Sequence, residues 1–169
     1  MPMPGVGSCP CGAGRGLLPY GMAEPSKGTE IDPTIVKDLD GITVIRGGGR
    51  ERGWNGIRYL QGMSAKNVGS TRLSINVATV PPGAIAYAHI HDGFEVMLFI
   101  VQGRVKHTYG EGLKKEVINE AGDFIYIKPG VPHEVFNIGS EPLIAFVARS
   151  TADEWDKIVD YPSQHRPAE

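Results

Sequence analysis

His89 and His91 stand two residues apart in the stretch Ala86-Tyr87-Ala88-His89-Ile90-His91-Asp92-Gly93-Phe94-Glu95-Val96. On a strand, whose side chains alternate between faces, both imidazoles and Tyr87 project to the same side. A turn at Asp92-Gly93 would carry the carboxylate of Glu95 back across the rings from the neighbouring strand. Two imidazoles and a carboxylate on one side of an ion, with positions left open, suit non-haem Fe(II) and related divalent ions. A further ligand is offered downstream. There Gly122-Asp123 leads into an alternating strand, Pro129-Gly130 turns the chain, and His133 opens the next strand.

The elements that must position these groups are short and β-like. Residues 42–46 read as a first strand ended by Gly47-Gly48-Gly49, residues 54–61 as an edge strand, and residues 63–69 as loop. Residues 71–80 alternate, with Leu73, Ile75 and Val77 on one face and Arg72, Ser74 and Asn76 on the other. That strand has one wet face, unless the polar face looks into a pocket. Residues 96–101 are apolar on both faces, with Met97 and Phe99 on the Glu95 side, so the strand needs cover from a second layer or subunit and predicts a homodimer. Residues 104–109 and 114–119 form a hairpin around Gly110-Glu111-Gly112, on which His107 could line a pocket and otherwise reads as structural support. Phe124, Tyr126 and Lys128 share one face of their strand and Ile125 and Ile127 the other; alternation leaves open which set looks inward. Residues 143–148 make the last strand. Beyond it the period changes. Thr151 and Glu154 have capping-box spacing and Trp155, Ile158 and Val159 fall at i, i+3 and i+4, which predicts a short C-terminal helix stopped by Pro162.

Taken together, the two histidine segments resemble the cupins. The first cupin motif runs Gly, five residues, His-x-His, three or four residues, Glu, six residues, Gly; the second runs Gly, five residues, Pro-x-Gly, two residues, His, three residues, Asn. Gly83, His89, His91 and Glu95 follow the first motif, with seven residues rather than six before Gly103. Gly122, Gly130, His133 and Asn137 follow the second, with Lys128 where the family usually has proline. The resemblance spans residues 42–149 and implies an all-β double-stranded β-helix, the jelly-roll or cupin barrel. It also implies one divalent transition-metal ion (Fe favoured over Mn, Ni or Zn) held by His89, His91, Glu95 and His133. Tyr87, Met97 and Phe99 are then chamber wall, with Tyr126 and His107 as further pocket candidates. Glu95, Tyr87 and Lys128 are the candidate catalytic groups. Lys128 either reaches solvent from the rim or offers its ammonium to an anionic substrate group. Three activities fit such a site: a dioxygenase, favoured because an apolar chamber carries few bases; a Lewis-acid isomerase, lyase or decarboxylase; or the binding of a small ligand without turnover.

Composition bounds the rest. The 169 residues suffice for one domain with appendages: a Gly- and Pro-rich arm over residues 1–30, the barrel over 31–150, and the helix and tail over 151–169. A net charge of -2 gives no electrostatic footprint for nucleic acid or an anionic membrane. No apolar run approaches the roughly 20 residues of a membrane span, and no charged start with an apolar core marks a secretory leader, so the expected location is cytoplasmic. The only two cysteines, Cys9 and Cys11, lie in the arm, where they read as two thiols rather than a disulfide framework.

Overall fold

The computed structural model describes residues 37–46, 51–153, 155 and 157–167. The arm with Cys9 and Cys11 lies outside the described residues. In chain order the strands are β1 (Lys37–Leu39), β2 (Ile42–Val44), β3 (Glu51–Trp54), β4 (Ile57–Met63), β5 (Ser74–Val80), β6 (Ile85–His91), β7 (Val96–Gln102), β8 (Arg104–Tyr109), β9 (Lys115–Glu120), β10 (Phe124–Ile127), β11 (His133–Asn137), β12 (Leu143–Arg149) and β13 (Ile158–Asp160). One short helix, α1 (Ala65–Val68), follows β4.

Antiparallel pairing gathers the strands into a six-stranded sheet, β10-β7-β12-β5-β4-β3, and a five-stranded sheet, β13-β6-β11-β8-β9; β1 and β2 pair separately. From β5 onward the chain passes back and forth between the two large sheets, apart from the β8–β9 hairpin within one of them, which is the winding of a jelly roll. Their inner faces meet in one apolar core, to which β4, β5, β7 and β12 contribute from one sheet and β6, β8 and β11 from the other. The expected cupin barrel is therefore the fold. Asn137, the last residue of the second motif, is buried inside it and staples the winding: its amide donates to Val80 O at 2.9 Å and Glu141 O at 2.8 Å.

Several local readings needed the tertiary structure. Residues 51–63 are a hairpin rather than one edge strand, turning on Asn55-Gly56, both in the left-handed region (φ 54° and 77°). The segment after β4 contains α1, capped by Ser64 and Asn67 in a reciprocal capping box. On β5 the face that alternates inward is the polar one, since Ser74 and Asn76 are buried with Ala78 and Val80. On β10, Ile125 and Ile127 pack inward, while Phe124, Tyr126 and Lys128 face out.

The predicted C-terminal helix is replaced by a strand. Lys157 sits at φ 56°, which breaks any helix there, and β13 pairs with the edge of β6 from Ile158↔His91 to Asp160↔His89. The backbone donors and acceptors of that edge offer more than an isolated short helix would gain. Trp155 and Ile158 still pack on the core, but Val159 is half exposed, as the two-residue period of a strand requires.

Gly103 joins β7 to β8 where the chain crosses from one sheet to the other. Its φ is 96°, and a Cβ there would lie 2.8 Å from Leu143 Cα. Gly103→Ala is expected to lower stability by roughly 1–3 kcal/mol, read as a lower urea midpoint at unchanged slope.

Candidate metal centre

β6 and β11 lie side by side, and His89 is directly opposite His133. One pair further along the register slips: Val135 faces Ala86, so Tyr87 and Ala88 together oppose Glu134 alone. This is a β-bulge, and it decides what looks inward. His89, His91 and Ala86 line the interior, whereas Tyr87 is turned off that face and joins neither the histidines nor the cavity wall. The ring centroids of His89 and His133 are 4.3 Å apart, those of His89 and His91 4.9 Å, and those of His91 and His133 5.0 Å. One ring nitrogen from each lies within 4.8 Å of the other two, and all three side chains are buried.

The outer partners of these rings fix their state. His89 Nδ1 donates to Tyr87 O at 2.8 Å and His133 Nδ1 to Val131 O at 3.0 Å, which leaves both Nε2 atoms as acceptors. Burial pushes His89 down to about 3, with His133 and Arg149 adding to the effect, and lowers His91 and His133 as well. All three are therefore neutral near pH 7, the form in which imidazole ligates metal. His91 Nδ1 is buried with no hydrogen-bond partner among the described residues. Three neutral nitrogen donors, two of them oriented by backbone carbonyls, fit a divalent transition-metal ion.

Glu95 does not join them. The buried side chain after the turn is Phe94, whose ring lies 5.0 Å from His91. Glu95 is exposed and accepts a 2.6 Å hydrogen bond from the Tyr126 hydroxyl, which holds that proton more tightly than usual. Met97 and Phe99 share its outward face, so the predicted wall of Met97, Phe99 and Tyr126 lies on the outside of the barrel; Lys128 is exposed as well. The inward residues of β7 are Val96, Leu98 and Ile100. His107 is the expected pocket residue that does line the cavity, buried and held down to about 4 by burial.

Sequence reasoning missed five supporting groups, Arg149, Asn76, Tyr59, Trp54 and Asn55. Arg149, at the end of β12, is buried and lines the same cavity as the histidines. It donates to Asn76 Oδ1 at 2.9 Å and to the Tyr59 hydroxyl, and burial pushes Tyr59 up to about 12. Trp54 packs edge-on against His89 at 5.4 Å, and Asn55 Nδ2 donates to Tyr87 O at 2.5 Å. The polar face of β5 and the Asn-Gly turn were the signals for Asn76 and Asn55; Arg149 left none. The cavity itself is small, about 60 Å³, and otherwise apolar.

Residues 76–149 match the family model of the cupin domain. The chain carries a cupin domain. Over 70 residues it is 40% identical to an uncharacterized protein of Methanocaldococcus jannaschii, a match spanning 41% of this chain and 54% of that protein. Among solved structures it is similar to a Bacillus subtilis oxalate decarboxylase mutant (TM-score 0.55, 23% identity, 62% of this chain and 28% of that one). It is also similar to the cupin domain of Schizosaccharomyces pombe Cnp3 (TM-score 0.52, 14% identity, 60% and 68%). At these identities the likeness is one of fold. The cupin pattern also explains Glu95. With four residues between it and His91 and six between it and Gly103, the carboxylate position of the motif falls on Val96, which is buried in the cavity wall.

Two measurements follow from this site. Elemental analysis should find a divalent metal in the wild type and in Glu95→Gln, and none in His89→Ala/His133→Ala. The metal-free protein should also lose stability in acid. Because His89 and His107 sit at about 3 and about 4 when folded against 6.5 ordinarily, the unfolded chain binds more protons between those values. Stability is thus complete above pH 6.5 and falls as the pH drops towards 4, which urea titrations across that window will register.

Proposed function

We propose that this cupin is a metal-dependent enzyme acting on a small organic molecule, and that its reaction is a dioxygenation. The observation that carries the reading is the cluster of three neutral imidazoles on the wall of an apolar cavity that, among the described residues, is lined by no carboxylate and no amine. A divalent ion such as Fe(II), when bound, supplies open positions at which a substrate oxygen and O2 can meet. His89 and His133, oriented by Tyr87 O and Val131 O, would hold it together with His91. Phe94 and Trp54, packed on His91 and His89, keep water from the flanks. A dioxygenation takes its electrons from the substrate, so no outside reductant is required.

A second reading is favoured by His107. Its Nδ1 donates to Asn119 Oδ1 at 3.0 Å, which leaves Nε2 as an acceptor on a residue that lines the cavity. A proton acceptor beside a Lewis-acidic ion suits an isomerase, lyase or decarboxylase. Mn(II) belongs among the candidate ions for that reading, since one similar structure is described by the Mn(II) centres of Bacillus subtilis oxalate decarboxylase. An oxygen electrode separates the two. Fe(II)-loaded protein with a panel of small oxygenated compounds should consume one O2 per substrate, and His133→Ala should abolish the uptake. Turnover that is unchanged under nitrogen and lost in His107→Gln would put the Lewis-acid reading first.

Two copies are proposed to associate through the outer face of the six-stranded sheet. Phe124, Phe99 and Phe146 adjoin there across β10, β7 and β12, and Phe124 is 84% exposed. A contiguous apolar face bordered by Glu95 and Lys128 is complementary to itself and a hazard when bare. Light scattering should return the mass of two chains for the wild type and of one for Phe124→Asp.

A further inference from the structure

We infer that His107 recognises the substrate, its Nε2 accepting a hydrogen bond from a hydroxyl group, and that the molecules this cavity takes are small hydroxy carbonyl compounds. The inference rests on the metal-dependent reading and narrows it. It is carried by a chain of hydrogen bonds that begins at Asp123, in the turn before β10, and ends on the cavity wall at His107.

Asp123 is fixed from two sides. Its carboxylate accepts from Glu120 N at 2.9 Å, and its backbone oxygen accepts from Ile100 N at 3.0 Å. An ionised carboxylate offers no proton, so the group of Asn119 that meets it at 3.4 Å is the amide NH2. Asn119 Oδ1 is thereby turned the other way, where it lies 3.0 Å from His107 Nδ1 and accepts its proton. Burial keeps this ring neutral near pH 7, so its one proton sits on Nδ1 and Nε2 carries a lone pair. Neither Asp123 nor Asn119 lines the cavity; both are positioning residues that act through His107.

His107 is buried and lines the cavity, and its Nε2 meets no hydrogen-bond partner among the described residues. An acceptor in apolar surroundings is left unsatisfied by a ligand that brings no donor, which favours one that does. An ammonium donor would be repelled by a divalent ion in the same cavity, and a hydroxyl is a small neutral one. The ladder sets how far that hydroxyl is from the ion. His107 faces Val135, and His133 lies two residues further along β11 on the same inward face. Diagonal neighbours of this kind are about 7–8 Å apart at Cα. A ligand that meets both His107 and an ion held by His133 therefore carries its hydroxyl only a few atoms from its metal-binding oxygen, for which a carbonyl polarised by the ion is suited. Size gives the same answer. A cavity of about 150 Å³ takes benzene, so one of about 60 Å³ takes a group of only a few heavy atoms.

The test uses the full chain with nitrogen-15 in its histidines, metal-free and loaded with Zn(II), near neutral pH. Nuclear magnetic resonance of the ring nitrogens should find His107 protonated on Nδ1 alone in the wild type and in a mixture of tautomers in Asn119→Leu. The ligands are hydroxyacetone and fluoroacetone, which share a carbonyl and a shape and differ in the hydroxyl donor. Hydroxyacetone should bind the Zn(II)-loaded wild type roughly tenfold tighter than fluoroacetone and shift the His107 Nε2 resonance, which fluoroacetone leaves in place. His107→Phe should bind the two ketones equally, and His107→Gln, whose amide oxygen can accept, should recover part of the preference. Equal affinity for the two ketones in the wild type, or a proton on Nε2 there, overturns the inference whether or not His107→Phe folds. So does a preference that survives in a folded His107→Phe. A wild type that takes up no Zn(II) yet still prefers hydroxyacetone sinks the metal-dependent reading and upholds the role of His107; one that takes up Zn(II) without that preference does the reverse.

Discussion

The bulge at Tyr87-Ala88 is the constraint on which the site depends. An extra residue in β6 lets His89 face His133 while Ala86 faces Val135, and its irregular peptide groups must find partners outside the ladder. They find them in distant parts of the chain. Tyr87 exchanges backbone and side-chain hydrogen bonds with Asn55, at the tip of the β3–β4 hairpin. Ala88 O accepts from Tyr161 N at 3.0 Å and from Arg166 Nη2 at 2.9 Å, both in the C-terminal segment. The strand that carries two of the three histidines is thus braced from both ends of the described chain, which is how a site on short strands acquires fixed geometry.

The electrostatics follow from that geometry. Rings buried against one another cannot all hold protons, and the carbonyls of Tyr87 and Val131 select the tautomer that turns a lone pair inward. The same interior holds Arg149, tied to Asn76 and Tyr59. A donor set without a carboxylate leaves a bound divalent ion at its full charge, more Lewis-acidic and more demanding of an anionic ligand than one already paired with an acid. Val96 stands where the acid of the motif would be, and the cavity wall is apolar apart from the histidines, Tyr59 and Arg149.

The C-terminal segment shows how a local pattern yields to its surroundings. Spacing of Trp155, Ile158 and Val159 at i, i+3 and i+4 describes a helical stripe, yet two of the three reach the core from a turn and a strand. A three-residue strand costs little to form when β6 presents an open edge, and covering that edge also closes a surface prone to association. In the opposite sense, the outer face of β7, β10 and β12 stays apolar with no layer of the described chain over it.

By itself the sequence determined the fold family, the strand-and-turn texture and the three histidines, because these are written in short-range signals: alternation, Gly-Asp and Pro-Gly turns, and the spacing of His89, His91 and His133. Only the tertiary structure decided which faces look inward. A one-residue change of register reverses a strand's faces, so the choice between Glu95 and Val96, the turning away of Tyr87, and the inward set of β10 were each beyond local pattern. The burial of Asn76 depended on a partner, Arg149, that arrives 73 residues later in the chain. Arg149 belongs to no motif, and its place beside the histidines exists only because β12 pairs with both β5 and β7.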